Sequence, residues 1–590
     1  MISNSLSLFM SFIINKMKRG NIMMKKTTSQ DVIKIVWKAC DTFRGTMDSS
    51  KYKDYILTML FVKYVSDFYK EKLEELKAKF GDNEDRIQKS LKREKFQLDP
   101  TCTFDVIYEN RNAEDIGETI NKILMKIEDD NKEKLEGIFR NIDFNSEAEL
   151  GRTKERNAAL KHLIEDFADD SLDLRPSMLD GSDVIGDAYE FLIANFASDA
   201  GKKGGEFYTP SEVSTLLAKL VGAKDGDRIY DPTCGSGSLL IKAAKEVGTQ
   251  NFRLYGQERN GQTQALAKMN MFLHEINDAV IEWGDTLRNP LHLENERLMK
   301  FDKIVSNPPF SLDKWGAEEL KDDTYGRFNM GLPPKSKGDF AFISHILASL
   351  NENGTAGIIL PHGVLFRAAS EGKIRKQIIE NNWLDAVVGL PENLFFGTGI
   401  PACILIFKKN KVDNNVVFID ASNGFDKGKN QNILRDEDIE KILEAYKNRK
   451  EVEKYCHIAT FDEMKENVTF IEERYPAIVS EYRKKLEDKV AELLEDSNID
   501  ESRIAAEVVI YSDKICVDEE TVRLKSHIDG MRDELLKGGN VGRKLDFIAQ
   551  EMNREANTIL SKANDIEVSD HAIDLKTEIE KIREQVQNIE

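Results

Sequence analysis

The chain has 590 residues, and its 84 Lys and Arg stand against 104 Asp and Glu, a formal net charge of −20. A hydrophobic content of 41% excludes wholesale disorder, and the length suggests about four domains, or fewer if one is large. The acidic balance excludes a chain that coats nucleic acid unaided, though not one with a local basic cleft or a basic partner.

The first element is a short apolar stretch, Leu6 to Ile14, followed by Lys16, Lys18 and Arg19. A secretory signal carries its positive charges before the apolar run, so this order argues against one. Periodicity begins only after Met23 and Met24, so residues 1–23 are expected to be a non-structural extension. From Gln30 to about Ala168 the pattern is helical: Ile33, Val36 and Trp37, then Tyr55, Met59, Val62, Tyr64 and Phe68, repeat at helical spacing. The charged run from Lys70 to Lys95 reads as a solvated helix face. No catalytic constellation occurs here, which suggests a helical domain for contacts.

From about Arg228 short apolar runs alternate with helices. The predicted strands are Arg228 to Asp231, Phe252 to Gln257, Ala279 to Trp283, Phe301 to Ser306, Thr355 to Pro361, Leu384 to Gly389 and Ala402 to Phe407. Predicted helices include Leu239 to Glu246, Gln262 to Glu275 and Phe340 to Leu350. Near-continuous apolar strands between amphipathic helices predict a doubly wound α/β domain, its mostly parallel sheet covered on both faces. After about Asn467 the strands stop. Val541, Leu545, Ile548, Met552 and Ile559 form one helical stripe, and Ala572, Leu575, Ile579, Ile582, Val586 and Ile589 another. Gly538-Gly539-Asn540 precedes the first stripe and Val568-Ser569-Asp570 separates the two. These predict a separate helical module that pairs with itself. Six scattered cysteines without a C-x-x-C pair make neither a disulfide framework nor a zinc site, and no metal site is expected; they fit a reducing cytoplasm. No apolar run approaches the ~20 residues that span a bilayer.

The chemistry-bearing motifs fall after the predicted strands, where open α/β sheets bind ligands. Asp231-Pro232-Thr233-Cys234-Gly235-Ser236-Gly237-Ser238 lies between a strand and a helix, and its glycines permit a tight turn and close backbone approach. Neither G-x-G-x-x-G nor G-K-[ST] is present. Glu258 follows the next strand, where a carboxylate can accept both ribose hydroxyls of a nucleoside. Asp285 follows the third and is placed for the adenine amine. The fourth strand ends in Asn307-Pro308-Pro309-Phe310. Two prolines stiffen that loop, and the Asn307 amide oxygen and the Pro308 carbonyl can accept both hydrogens of a planar amine. That draws the nitrogen towards tetrahedral geometry and frees its lone pair to attack a methyl group. Phe310 can stack on a base turned out of a helix. Upstream, in Gly204-Gly205-Glu206-Phe207-Tyr208-Thr209-Pro210-Ser211-Glu212, Thr209 reads as a helix cap with Glu212 completing a capping box. The two aromatic rings before it are placed to wall a pocket.

G-E-F-Y-T-P, D-P-T-C-G-S-G, N-P-P-F and Leu390-Pro391-Glu392-Asn393-Leu394-Phe395-Phe396-Gly397-Thr398-Gly399-Ile400-Pro401 together resemble the modification subunit of type I restriction-modification systems, HsdM, over roughly Met24 to Asn467. The resemblance implies a Rossmann-like fold and S-adenosylmethionine-dependent methylation of the exocyclic amine of adenine in DNA. By matching, Glu206, Phe207, Tyr208, Thr209, Pro210, Ser211, Ser236, Gly237, Ser238 and Glu258 would contact the cofactor, joined by Asp231, Gly235 and Asp285. Asn307, Pro308, Pro309 and Phe310 would hold the target adenine. It also implies partners: a specificity subunit that reads the DNA, a second copy of this chain, and a restriction subunit for cleavage.

The tail departs from that family. Gly542-Arg543-Lys544-Leu545-Asp546-Phe547, Gln550-Glu551-Met552-Asn553-Arg554-Glu555-Ala556-Asn557-Thr558 and Glu584-Gln585-Val586-Gln587-Asn588-Ile589-Glu590 resemble the C-terminal domain of the YicC endoribonuclease family, over about Ile471 to Glu590. The resemblance implies Glu551 and Glu555 as metal ligands in that family's chemistry, but the amino-terminal half of such proteins has no counterpart, so a structural role is expected. The chain thus reads as a fusion: extension 1–23, helical domain 24–170, catalytic domain 171–467 and helical tail 468–590. Two rival readings remain: a glutamine-amide methyltransferase acting on protein, which shares N-P-P with Tyr or Phe, and an inactive oligomerising scaffold.

Overall fold

In the computed structural model of the chain, the described residues are 26–458, less 45–46, 48, 182, 201–207, 366, 368–369, 396–398, 414 and 429–430. Beyond 458 they are 484, 517–535, 542–562, 568–569, 571–576 and 579. The extension at 1–23 therefore lies outside them. They form two units, one of residues 1–200 with 268–277 and one of 201–267 with 278–590.

The first unit is helical. Its longer helices are α1 (Ser29–Ala39), α2 (Ser49–Phe80), α3 (Ile116–Asp130), α4 (Thr153–Phe167) and α5 (Val184–Ala200). A capping box starts α1: the Thr28 hydroxyl accepts from the Asp31 N–H while the Asp31 carboxylate accepts from the Thr28 N–H. Between Tyr52 and Tyr69, α2 is buried nearly all round, including all five members of the apolar repeat from Tyr55 to Phe68. A helix apolar on every side belongs in a core, and here its charges survive as ion pairs, Lys53 with Asp54 and Lys63 with Asp67. Residues 268–277 belong to this core: the Phe272 ring packs 5.4 Å from Phe61, and His274 Nδ1 lies 2.6 Å from Asp183 Oδ1.

The second unit is built on a sheet of nine strands: β1 (Arg228–Asp231), β2 (Arg253–Glu258), β3 (Val280–Trp283), β4 (Phe301–Ser306), β5 (Leu350–Pro361), β6 (Leu384–Gly389), β7 (Ala402–Lys408), β8 (Val417–Asp420) and β9 (Cys456–Ile458). Their spatial order is β9-β8-β6-β7-β5-β4-β1-β2-β3. The pairs among β3, β2, β1, β4 and β5 are parallel, as is β6 with β8; β7 and β9 run antiparallel to their neighbours. The expected doubly wound, mostly parallel sheet is present, with these two reversed strands added. Short β8 and β9 were not among the predicted strands.

Alternate residues of the strands turn to opposite faces. Tyr230, Ile304, Ala356, Val387, Leu405 and Phe418 share a core with α9 (Asp339–Ser349) and α10 (Ser370–Glu380). Gly357, of the other parity, lies so close to Leu217 and Val221 of α6 (Ser211–Val221) that a Cβ there would overlap both. Two more helices, α7 (Ser238–Val247) and α8 (Gly261–Leu273), follow β1 and β2, and α11 (Asp436–Asn448) packs on α6.

The tail departs from expectation. Its helices α12 (Asp518–Leu535) and α13 (Gly542–Lys562) do not stand apart: Val517, Leu524, Ile528, Ile548, Met552, Ala556 and Ile559 join the core on the β6 and β8 face. Val568, Ala572, Leu575 and Ile579 join it as well. Val568 is helical and buried and Ser569 helical, while Asp570, the last residue of the expected separator, lies outside the described residues. The described members of both stripes, Ile548, Met552, Ile559, Ala572, Leu575 and Ile579, are buried in this shared core. Approach is close enough that a Cβ at Gly530 of α12 would strike the Leu365 carbonyl. Val541 and residues 580–590 lie outside the described set. Among the described residues, five cysteines are buried, and no helix is long and apolar enough to cross a membrane.

Cutting the chain after Asn467 therefore should uncover part of this core. Each fully buried aliphatic lost from such a core costs roughly 2–5 kcal/mol. The expected calorimetric result is a marked fall in the melting temperature of the sheet unit and a gain of apolar-dye binding. An unchanged melting temperature would show an independent tail.

Candidate functional site

Each strand from β1 to β4 ends in a turn that carries one or more of the residues singled out in the sequence. Asp231 closes β1 with no exposed surface. Its Oδ1 accepts the Thr233 N–H at 2.9 Å, while its Oδ2 is buried with no partner. Burial, and then the nearby Glu258 charge, push its carboxyl up to about 8. The turn continues through Gly235 at φ +53° and Gly237 at φ +83°, left-handed positions that glycine takes without strain, and enters α7 at Ser238. The hydroxyls of Ser236 and Ser238 lie 3.1 Å apart.

Glu258 ends β2 beside this turn. Its Oε2 accepts the Gly235 N–H at 3.1 Å and its Oε1 the Asn260 N–H at 2.7 Å. Burial raises its pKa as well. Each carboxylate oxygen has a second lone pair, so both remain able to accept a ligand hydroxyl. Asp285, just beyond β3, is more committed: it accepts the N–H groups of Leu287 and Arg288, and Arg288 Nη1 donates to it at 3.2 Å.

Asn307 follows β4. Its Nδ2 donates to Thr209 Oγ1 at 2.9 Å, and its Oδ1 is buried without a partner. The motif is fastened on both flanks. Before it, the hydroxyls of Ser306 and Thr233 lie 2.9 Å apart, tying the β4 turn to the β1 turn. After it, Ser311, left-handed at φ +53°, donates its N–H to Asp339 Oδ1 at 2.8 Å. Asp339 has no exposed surface and pairs with Arg367, which also donates to Glu371 at 2.7 Å. The Phe310 ring meets Phe395 edge to face at 5.7 Å, bringing the Leu390 to Pro401 motif to Asn307-Pro308-Pro309-Phe310. Pro308 is buried and Pro309 exposed.

The capping box expected at Thr209 is not formed. The helix begins at Ser211 with Pro210 in the cap position and no side-chain cap, and the Thr209 hydroxyl, one residue outside the cap, instead accepts from Asn307 Nδ2. Tyr208 and Thr209 are buried and Ser211 exposed. Glu206 and Phe207 lie outside the described residues.

Three positions went unnoticed in the sequence. Asp339 and Arg367 clamp the loop after Phe310. Arg327, with only 1% of its side chain exposed, pairs with Asp323 at 2.7 Å and donates to the Thr286 and Leu287 carbonyls at 3.2 and 2.8 Å. It thereby ties the segment after Phe310 to the Asp285 turn, which Thr286 in turn joins to the Pro232 carbonyl. Its guanidinium also adjoins His345, whose other nitrogen lies 3.1 Å from the Tyr230 hydroxyl. Burial, aided by the Arg327 charge, holds that imidazole neutral. Arg327 stands in a polar loop without periodicity, so no local signal marked it.

In the tail, His527, Glu551 and Glu555 come within reach of a single ion. Guanidinium groups already serve both carboxylates: Arg554 lies 2.6 Å from Glu551, and Arg523 lies 3.0 Å from Glu555. Burial, with Arg375, Arg554 and Arg523 nearby, pushes His527 down to about 4.

Three family profiles match successive parts of the chain. The profile of the N-6 DNA Methylase family matches residues 180–481, that of the HsdM N-terminal domain 33–167, and that of the YicC-like endoribonuclease C-terminal domain 471–590. The type I restriction enzyme MpnII methylase subunit of Mycoplasma pneumoniae is 36% identical over 498 residues, covering 75% of this chain and 89% of that protein. The crystal structure of a type I restriction-modification methyltransferase subunit from Streptococcus thermophilus superposes with a TM-score of 0.65 at 37% identity, covering 75% of this chain and 98% of that one. The tail is 49% identical over 130 residues to a probable YicC endoribonuclease of Clostridioides difficile, covering 22% of this chain and 44% of that protein.

Arg327→Met should cost roughly 3–5 kcal/mol, because it leaves Asp323 buried and unpaired. Adding Asp323→Leu should recover much of that loss. Urea denaturation of the single and double variants checks both, and a double variant as weak as the single would dismiss the pair as the cause.

Proposed function

We propose a division of labour for this chain, which belongs to the N-6 DNA methylase family and is a methylase subunit of the type I restriction-enzyme kind. The turns after β1 and β2 hold S-adenosylmethionine, and the turn after β4 holds the exocyclic amine of an adenine in DNA. The observation that carries the reading is Asn307 Oδ1, a buried acceptor without a partner at the end of β4. Buried polar atoms are nearly always paired, so an orphan beside a cofactor-type pocket is explained by a ligand that supplies the hydrogen.

The cofactor fits the residues present. Glu258 retains the lone pairs to accept two ribose hydroxyls, and the orphaned Asp231 Oδ2 is a matching acceptor for an ammonium group. When bound there, S-adenosylmethionine would supply an electrophilic methyl group. Asn307 Oδ1 and the Pro308 carbonyl accept the two amine hydrogens, localise the lone pair and stabilise the positive charge that develops on the nitrogen. The surplus proton passes to solvent water after transfer, so no side-chain base is assigned. Phe310, backed by Phe395, offers a ring on which the extruded base stacks.

Target choice is assigned to a separate specificity subunit, with a second copy of this chain and a restriction subunit completing the assembly. The net charge of −20 supports that delegation, since sequence-specific grip on a duplex draws on clustered basic groups. We assign the assembly to the cytoplasm, because the proposed substrate is DNA.

Asn307→Ala, purified with its specificity partner, should lose methyl transfer to duplex DNA while keeping cofactor affinity. Retained transfer would remove Asn307 from the chemistry, and transfer to a protein glutamine in place of DNA would favour the protein-methylating alternative. A second expectation concerns pH. Asp231 holds its proton up to about pH 8 in the ligand-free protein. An ammonium beside it favours the ionised form, so binding expels that proton. Affinity for S-adenosylmethionine should therefore rise from pH 6 towards 8, by up to about tenfold per pH unit, and fall above that as the ligand's own ammonium loses its proton. Calorimetry at three pH values reads this, and a flat profile would take Asp231 out of the pocket.

A further inference from the structure

We infer that Thr209 is a positioning residue for methyl transfer, its hydroxyl setting the stance of the Asn307 carboxamide. The inference rests on the reading of Asn307 as the acceptor for the adenine amine. A carboxamide is nearly symmetric in shape, yet its two ends do opposite work: the oxygen accepts and the nitrogen donates. Turned half a revolution about its last bond, Asn307 would present N–H groups to the incoming amine and repel it.

The structure gives the nitrogen a place of its own. Nδ2 donates to Thr209 Oγ1 at 2.9 Å, and Oδ1 stays buried with its lone pairs unclaimed. Thr209 is itself only 7% exposed, so water does not compete freely for the contact. Its hydroxyl is available because Pro210 takes the cap position of α6 and the helix uses no side-chain cap. Were the amide reversed, its oxygen would take the threonine proton and its buried NH2 would be left without an acceptor. In the observed stance the one unmet group is the acceptor, which the substrate satisfies. Further fastenings, Ser306 to Thr233 and Ser311 to Asp339, hold the backbone on either side, but neither acts on the amide plane. Thr209 alone, among the described residues, bonds to it.

This differs from a cofactor contact, the role expected for Thr209 from the sequence. Losing a cofactor contact weakens cofactor binding; losing a positioning contact slows the transfer step. The test uses the full chain with its specificity subunit and compares Thr209→Val, which keeps shape and removes the hydroxyl, with Thr209→Ser, which restores it. Cofactor affinity is read by calorimetry and transfer by single-turnover incorporation of labelled methyl into duplex DNA. Thr209→Val should slow transfer about 10- to 100-fold, the size of one hydrogen bond at the reacting group, with affinity for S-adenosylmethionine within about twofold of the parent. Thr209→Ser should recover most of the rate. A Thr209→Val protein with the parent's rate, or one whose cofactor affinity falls as far as its rate, would overturn the inference. So would a serine variant as slow as the valine one. If Asn307→Ala is inactive while Thr209→Val matches the parent, only this inference fails; if Asn307→Ala stays active, the underlying reading fails first.

Discussion

Parallel pairing of β1 with β4, where Ile229 lies opposite Lys303 and Tyr230 opposite Ile304, is the constraint from which the candidate site follows. The chain runs outward from β1 through β2 to β3 and then returns to the other side of β1. At that reversal the turns after the two strands diverge and leave a crevice. One strand delivers Asp231 to its rim and the other Asn307. Because neighbouring strands stand only about 4.8 Å apart, the two turns can be joined by one short hydroxyl contact, Ser306 to Thr233. Every other fastening, through Thr209, Asp339 and Arg327, refines a placement that this pairing makes possible.

Near the candidate site, charge differs between the two ends of the strands. At the carboxyl ends sit two acids, the buried Asp231 and the half-buried Glu258, both pushed towards their neutral forms by burial. At the opposite ends sit lysines that cap carbonyls where helices end: Lys303 donates to Val221 at the close of α6, and Lys300 and Lys409 to Ala348 and Leu350 at the close of α9. Helix C-termini carry partial negative charge, so these lysines answer it directly. Burial lowers the pKa of all three.

Much of this was legible in the sequence because it is local. The strands from Arg228 to Phe407 announce themselves as apolar runs, and Asp231, Glu258, Asp285 and Asn307 each stand at a strand's end. Failures came where a partner lies far along the chain. Thr209 followed by Glu212 has the look of a capping box, but the hydroxyl bonds across 98 residues to Asn307. A genuine box at Thr28 and Asp31 sat unremarked in a stretch of polar residues. The stripes of the tail required burial without saying against what, since periodicity names a face and not its cover. Asp339, Arg367 and Arg327 belong to networks whose members lie in separate loops, and no spacing rule connects them.

Shared burial of α12 and α13 with β6 and β8 also bears on synthesis. Domains of many multidomain chains fold in turn as they leave the ribosome. Here the sheet emerges first with α9 and α10 already against this face, but the cover over β6 and β8 is completed only when Val517 and the residues beyond it are made. During that interval Val387, Phe418 and their neighbours are open to solvent and to chaperones. The time at which the methylating unit becomes fully folded is thus set by translation of a segment that carries none of its chemistry.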